Sequence, residues 1–234
     1  MPYHGVRGDF LLGLVREDEL YALEEQSIGN CVFCALTLPK GGGWIALKRG
    51  LRGLQKRRVR RCVFAEGFPQ KPYFLSRGIR EVDVQPLLRK KAGQWALAER
   101  QARGLQGSIA VHTERLTEDV EKAVVALLEK TDCLLFPSIR GGEELQRQIR
   151  RDSGAVLRLC SPQRLSEAET LLDFSGSPWE GQALTLRIGE TKPPCFLLPA
   201  EWAEKGNVYG SQLAAALWEL GEIPADRIGL KCRI

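Results

Sequence analysis

Long apolar runs are missing from this chain of 234 residues. No window approaches the roughly 18 uninterrupted apolar residues that a membrane-spanning helix needs. The opening residues, MPYHG, also lack the basic flank and apolar stretch of a secretory signal. We therefore expect a protein that neither spans a membrane nor is secreted.

Metal-ligand motifs are scarce as well. The pair Cys31 and Cys34 has no second C-x-x-C and no nearby H-x-x-x-H to complete a zinc site. It lies in a predicted strand, and not at the helix N-terminus where a redox thiolate is stabilised. The seven cysteines are scattered, and Cys62 and Cys133 lie in apolar runs, as reduced thiols do in a cytosolic core. We expect a cytoplasmic protein with spectator thiols and no metal site.

Standard cofactor fingerprints are also lacking. Neither G-x-G-x-x-G nor G-x-x-x-x-G-K-S/T follows a predicted strand, which argues against a common dinucleotide or P-loop site. No helix-turn-helix, zinc-finger or RNA-recognition signature occurs in the sequence. The sequence therefore leaves the cofactor open, together with the oligomeric state.

The overall composition is that of a globular protein. Its hydrophobic fraction of 44% and charged fraction of 27% are ordinary, and its length suits one domain with an appendage or two small domains. The net charge of +5 permits an acidic partner without requiring one. Breaks rich in glycine, proline or charge divide the chain into three zones, 1–60, 61–176 and 177–234.

The first zone predicts a helix followed by a β-hairpin. Apolar residues in the stretch 9–26 share one helical face. The apolar runs 30–38 and 44–47 flank a glycine-rich loop at 39–43, which is the pattern of two hairpin strands. We therefore expect an N-terminal region that contains a β-hairpin.

The middle zone alternates short apolar runs with helical patterns. The segment 117–130 is the clearest helix, because Thr117 suits an N-cap and Val120 and Val124 share one face. The expected strands are 62–65, 81–84, 108–112, 133–136, 155–159 and 171–174. The expected helices are 85–105, 117–130 and 143–152, with shorter ones near 71–77 and 162–169. Strands joined by helical crossovers lie parallel, so we predict an α/β core with a Rossmann-like, doubly wound and mostly parallel sheet.

The last zone predicts a smaller α+β extension. The segments 182–188 and 195–198 are strand-like, and 211–220 has the pattern of a short helix. We expect this extension to pack on the core, either at the edge of the sheet or across it.

The loops after the strands are the first places to look for a site, because ligands bind at the carboxyl ends of the strands in a doubly wound sheet. The loop at 137–142 opens a helix, and its paired glycines would let a phosphate or carboxylate approach the helix N-terminus. The alternative is a plain glycine turn, because Glu143 and Glu144 match the helix dipole and would repel an anion. The predicted ligand-binding residues here are Ser138, Arg140, Gly141 and Gly142.

His112, at the end of strand 108–112, is the one imidazole placed where a general base would lie. Glu114 would orient it, and Arg115 would bind an anionic ligand. The alternative is a polar residue that only ends a strand. We predict His112 as the catalytic residue if the protein is an enzyme, which the sequence does not decide.

Asp173 and Ser175 bring an acid and a hydroxyl to the end of strand 171–174. Asp173 would bind a ribose hydroxyl or a metal, and both residues also suit a simple turn. We predict both as ligand-binding residues at the same edge of the sheet as His112.

A run of basic residues without acids spans 48–61. Its densest part, which we call the basic face, consists of Lys56, Arg57, Arg58, Arg60 and Arg61. Such a face would engage the phosphates of a nucleic acid or an acidic protein. Few aromatic residues are interleaved with it, so the alternative is a solvated surface that the acidic residues at 17–19 and 24–25 neutralise.

These features are consistent with two functions. The three polar loops at one sheet edge favour a small-molecule binder or enzyme that takes an anionic or nucleotide-like ligand. The other function is that of a non-catalytic interaction protein whose basic face binds nucleic acid or an acidic partner. Because α/β sheets of this kind carry many activities, the fold does not choose between them.

Overall fold

The structure is a computed structural model, and it describes residues 12–176, 184–189 and 192–232. The chain divides into two compact units, Met1–Val84 with Phe196–Gly229 and Gln85–Cys195 with Leu230–Ile234, which we call unit 1 and unit 2. Each unit contains a five-stranded, mostly parallel sheet flanked by helices. The predicted α/β class is therefore confirmed.

The helices and strands follow one another along the chain in a largely alternating order. The strands are β1 (Leu12–Asp18), β2 (Ala22–Ile28), β3 (Cys31–Pro39), β4 (Arg61–Phe64), β5 (Arg80–Glu81), β6 (Ile109–His112), β7 (Cys133–Pro137), β8 (Val156–Cys160), β9 (Thr170–Asp173), β10 (Leu184–Arg187), β11 (Cys195–Leu197) and β12 (Gly229–Lys231). The helices are α1 (Trp44–Lys56), α2 (Lys71–Leu75), α3 (Gln85–Lys90), α4 (Ala92–Arg103), α5 (Glu118–Leu128), α6 (Gly142–Ser153), α7 (Pro162–Leu165) and α8 (Ala203–Glu219). Within the described ranges, no helix has both the length and the apolarity that crossing a bilayer requires.

The sheet of unit 1 has the order β2-β3-β1-β4-β5, in which only β2 and β3 are antiparallel. β1 lies between β3 and β4, and its residues Leu12, Leu14 and Val15 are buried. The helix predicted over 9–26 is therefore wrong in its described part, which β1 and β2 occupy. A strand buried on both faces shows no alternation of apolar and polar residues, so its pattern resembles that of a helix.

The predicted hairpin also lies elsewhere. The run 44–47 is the first turn of α1 and not a strand. Its apolar pattern continues at helical spacing through Leu51 and Leu54, which are buried on the side of α1 that packs on β3. The hairpin instead joins β2 to β3 through Gly29 and Asn30, and Gly29 has the positive φ of 59° that the first central residue of a two-residue hairpin turn adopts.

Five of the six strands predicted for the middle zone form, whereas the strand predicted at 81–84 overlaps β5 only at Glu81, and together they belong to two sheets. β4 and β5 pair in unit 1, whereas β6, β7, β8 and β9 pair in unit 2. The expected single sheet over 61–176 is wrong on this point. α5 is confirmed, with the hydroxyl of Thr117 accepting a hydrogen bond from the N–H of Val120 at 3.4 Å, whereas the helix expected at 85–105 is divided into α3 and α4.

The sheet of unit 2 has the order β10-β9-β6-β7-β8, and every pair of neighbours is parallel. The chain moves from β6 outward to β7 and β8, and then returns to the other side of β6 to form β9 and β10. The strand order therefore reverses between β6 and β9. Central strands that are covered on both faces read as continuous apolar runs, and Ile109, Leu134 and Leu171 are almost fully buried.

The last zone contributes to both units. β10 joins the sheet of unit 2, and β11 pairs with β12 in a separate two-stranded sheet. The helix expected at 211–220 is the second half of α8, which breaks at Gly210, where φ is 57° and ψ is −144°. The predicted residues 182–183 and the other histidine, His4, lie outside the described residues.

Candidate functional site

The candidate site lies at the carboxyl ends of β6, β9 and β10, next to the reversal of strand order in unit 2. His112 ends β6 and is in register with Asp173, which ends β9. Asp173 is in turn in register with Arg187, which ends β10. Residues in register on parallel strands point to the same face of the sheet. The fold therefore places an imidazole, a carboxylate and a guanidinium in one row.

His112 and Asp173 are in direct contact. Nδ1 of His112 lies 3.0 Å from Oδ1 of Asp173, and both side chains are almost fully removed from solvent. An ionised carboxylate only accepts hydrogen bonds, so Nδ1 carries the proton. The neutral ring is therefore the Nδ1–H tautomer, and its lone pair is on Nε2.

Asp173 is buried and yet ionised. Burial raises the pKa of this carboxyl, but hydrogen bonds from His112 and Ser175 outweigh that effect, and the net pKa lies below its ordinary value of 3.8. Oδ1 accepts the backbone N–H of Ser175 at 2.9 Å and its hydroxyl at 2.7 Å, in addition to Nδ1 of His112. Oδ2 has no hydrogen-bond partner among the described residues. An ordered water or a ligand donor would satisfy it.

Ser175 contacts the wrong ring nitrogen of His112 to act as the nucleophile of a Ser-His-Asp triad. Its Oγ lies 3.1 Å from Nδ1 of His112, the same ring nitrogen that Asp173 contacts. In a triad the serine contacts Nε2, which removes its proton, while the acid holds Nδ1. Ser175 therefore supports the carboxylate of Asp173, and the geometry does not make it a nucleophile.

The loop after β6 is held by a local turn. The hydroxyl of Thr113, which is buried, donates to the carbonyl of Arg115 at 2.8 Å and accepts its N–H at 3.3 Å. Arg115 and Glu114 are exposed beyond it. The next residue, Leu116, lies against Gly141, where a Cβ would come within 3.1 Å of its side chain. The loops that follow β6 and β7 are thus in contact.

The other predicted ligand-binding residues lie on the β7 side of β6, away from Asp173 and β9. Ser138 donates its N–H to the carbonyl of Cys160 at 3.0 Å, which ties the loop to β8. Gly141 has a φ of 85° and precedes Gly142, the first residue of α6. Arg140 is exposed, and two acids occupy the first turn of α6. The structure thus brings His112, Asp173 and Ser175 into contact, and it places the 138–142 loop at another point of the same edge.

Arg187 is the member of the row that sequence reasoning missed. It was assigned to a peripheral extension, whereas its strand pairs directly with β9. The run 182–188 was recognised as strand-like, but strand order is not readable from one sequence. Knowledge of the pairing alone would have placed this arginine beside Asp173.

The basic face in unit 1 is partly engaged in internal contacts. Arg57 is half-buried and donates to Sγ of Cys34 at 3.6 Å and to the carbonyl of Leu23 at 3.4 Å. Arg61 binds both carboxylate oxygens of Glu219, at 2.5 and 2.7 Å. The remaining members, Lys56, Arg58 and Arg60, are exposed.

The cysteine pair of unit 1 offers no ligand set. Cys34 is buried and Cys31 is partly buried, and burial raises the pKa of both thiols. Among the residues that the structure describes, no group of three or more His, Cys, Asp or Glu side chains is arranged to hold a metal ion.

Two clefts of unit 2 lie away from His112. One, of about 550 Å³, is lined by Ser108 and Cys133, near the starts of β6 and β7. The other, of about 770 Å³, is lined by Glu169 and Leu184, near the starts of β9 and β10. Both clefts are at the amino ends of the strands, where parallel sheets do not usually bind ligands. The row at the carboxyl ends is the stronger candidate, because it contains a buried, ionised and hydrogen-bonded acid.

No model of a known protein family matches the chain, and no curated protein matches its sequence.

Proposed function

We propose that unit 2 is a Rossmann-like domain that binds an anionic or nucleotide-like small molecule where the strand order reverses, between β6 and β9. The observation that carries this proposal is the contact of 3.0 Å between His112 and the buried carboxylate of Asp173 at that point. A strand-order reversal opens a crevice at the carboxyl edge, and ligands of doubly wound sheets bind there.

His112 would act as a general base through Nε2. Asp173 holds Nδ1–H and so fixes both the tautomer and the orientation of the ring, as an acid does in other enzymes with an oriented histidine. The lone pair on Nε2 suits removal of a proton from a ligand hydroxyl, a role that histidine fills most often among general bases. The proposed reaction class is therefore proton transfer to or from a bound small molecule.

Arg187 supports the choice of an anionic ligand. It lies one strand beyond Asp173 in the same row, so a ligand that reaches His112 lies within one or two strand spacings of a guanidinium. Guanidinium groups bind carboxylates and phosphates in a bidentate manner. A hydroxyl or amine on the same ligand would donate to Oδ2 of Asp173, which has no partner among the described residues.

We also propose that the protein acts in the cytoplasm. All seven cysteines are free thiols, three of them buried, which supports a reducing compartment.

The test is thermal unfolding of the full chain with a panel of nucleotides, phosphorylated sugars and hydroxy acids. A ligand at 100 times its Kd stabilises the native state by about 2.7 kcal/mol, which is readily measured. We expect at least one compound to raise the melting temperature of the wild type and of the control Gln148→Ala, which changes an exposed residue of α6. We expect the same compound to have a much smaller effect on His112→Gln and Asp173→Asn.

Two results would contradict the proposal. One is that no compound of the panel stabilises the wild type. The other is that a stabilising compound acts equally on His112→Gln and Asp173→Asn, because its site would then lie elsewhere.

A further inference from the structure

Beyond its first turn, the exposed side of α1 in unit 1 is mainly basic. Lys48, Arg49, Arg52 and Lys56 are all exposed, and the helix contains no acidic residue. Residues four apart on a helix are separated by about 6 Å along its axis, so Lys48, Arg52 and Lys56 form a regular line of charge. The opposite side of α1 is buried on β3.

Aromatic rings from distant parts of the sequence lie beside the N-terminal end of this line. Trp44 begins α1 and packs edge-on against Tyr73 of α2, with ring centroids 5.3 Å apart. The guanidinium of Arg77 lies 3.9 Å from the centroid of Tyr73 and 5.4 Å from that of Trp44. Arg49 lies 4.5 Å above the ring of Tyr21. The aromatic residues that the sequence did not show near the basic run are therefore supplied by the fold.

Trp44 is the ring of this group that is most open to a partner. Its exposed fraction is 56%, and the next residue, Ile45, is 82% exposed. Acids of unit 1 lie on neighbouring strands. Asp18, the last residue of β1, pairs with Arg16 at 3.1 Å, and Glu24 and Glu25 are exposed on β2. α1 itself contributes four exposed cations and no acid.

We propose that this α1 surface, formed by Trp44, Lys48, Arg49, Arg52, Lys56 and Arg77, binds single-stranded nucleic acid. The line of cations on α1 follows the phosphates, and one base stacks on Trp44. Stacked guanidinium groups such as that of Arg77 are held in position for bidentate contact with a phosphate. Proteins that bind single strands without sequence preference combine a basic track with an aromatic platform in this way.

The charge and burial favour a nucleic acid over an anionic membrane. A helix that lies on a bilayer inserts an apolar face of its own, and the apolar face of α1 is already buried in the core of unit 1. The cations of α1, in contrast, run from Lys48 to Lys56, whereas its exposed large apolar side chains, Trp44 and Ile45, lie only in its first turn. This surface belongs to unit 1, so the proposal is independent of the ligand site in unit 2.

The test measures the binding of a fluorescently labelled 15-nucleotide single strand to the full chain at several salt concentrations. We expect the double variant Lys48→Gln, Arg52→Gln to bind more weakly and to lower the slope of log K against log salt by about 1.4, since each phosphate contact on a single strand contributes about 0.7. We expect Trp44→Leu to weaken binding roughly 5- to 150-fold with little change of slope, because it removes one stacking contact. The matched control, Arg147→Gln, Arg150→Gln on the exposed side of α6, should bind as the wild type does.

The outcomes separate clearly once circular dichroism shows that each variant is folded. A wild type that does not bind the strand in a salt-dependent way contradicts the proposal, as does either α1 variant with unchanged affinity. Binding to an anionic membrane is tested separately with vesicles of phosphatidylserine and phosphatidylcholine. Sedimentation of the protein with these vesicles, without binding to the strand, would assign the surface to membranes and overturn the proposal.

Discussion

Replacing Asp173 by Asn tests whether the buried carboxylate is ionised and held by its neighbours. In the wild type, Oδ1 accepts hydrogen bonds from Nδ1 of His112 and from the N–H and hydroxyl of Ser175. Hydrogen bonds to a charged group contribute about 1.5–3 kcal/mol, and those to a neutral group about 0.5–1.5 kcal/mol. Asn keeps an acceptor but loses the charge, and the three donors share one oxygen. We therefore expect Asp173→Asn to lower the free energy of unfolding by roughly 1–3 kcal/mol at neutral pH.

The effect should depend on pH in a defined direction. Burial raises the pKa of Asp173, but the hydrogen bonds from His112 and Ser175 bring the net pKa of the folded state below the ordinary value of 3.8. A lowered pKa in the folded state contributes stability that is present above the ordinary pKa and is lost as the pH falls through the folded value. The difference between wild type and Asp173→Asn should thus be full at pH 5 to 7 and should shrink below about pH 3.8.

Urea unfolding followed by near-ultraviolet circular dichroism measures this difference, with Trp95 of unit 2 as a fully buried probe. The control Asp152→Asn changes an exposed acid at the end of α6 and should have little effect at any pH. Equal stability of Asp173→Asn and wild type at pH 7 would show that the hydrogen bonds to Oδ1 do not depend on its charge. A difference that stays constant from pH 7 to pH 2.5 would contradict the prediction as well, because the lost charge would not be its cause.

Two further predictions concern the sheet of unit 1. Gly13→Ala should cost about 1–3 kcal/mol of stability, because the added Cβ would lie 2.7 Å from Sγ of Cys62 and 3.0 Å from Val59, and Cys62→Ala should restore part of the loss in urea unfolding. If Gly13→Ala were as stable as the wild type, the prediction would be wrong, because β1 could then move away from β3 and β4 to admit the methyl group. Burial raises the pKa of the Cys62 thiol, so peptide mapping after brief N-ethylmaleimide treatment should find the exposed Cys133 modified and Cys62 unmodified. Modification of Cys62 at the rate of Cys133 in the folded protein would contradict this burial.

Local signals in the sequence predicted most of the elements but not the way in which strands pair. Thr117 and the helical spacing after it identify α5 because capping and periodicity act within one element. β1 was mistaken for a helix because its burial between β3 and β4 is a property of the sheet. The assignment of β4 and β6 to one sheet failed for the same reason, since no local signal shows which strands are neighbours.

In the candidate site, too, the sequence predicted single residues but not how they are brought together. His112, Asp173 and Ser175 were each identified as polar residues at strand ends, and the rule that ligands bind at carboxyl ends placed them on one edge. Their mutual contacts depend on β6 and β9 being neighbours, and the place of Arg187 depends on β10 being next to β9. Ser175 is not placed as a nucleophile because its Oγ contacts Nδ1 of His112. The sequence does not show which ring nitrogen a side chain contacts.

Nitrogen NMR of ¹⁵N-histidine-labelled protein shows directly whether His112, held by Asp173, faces the ligand through Nε2. Only His4 and His112 contribute signals, and His112→Gln assigns them. We expect the neutral ring of His112 to be protonated on Nδ1, and we expect saturation with a stabilising compound from the thermal panel to shift its Nε2 signal. A ring protonated on Nε2, or an Nε2 signal that does not move at saturation, would contradict the account.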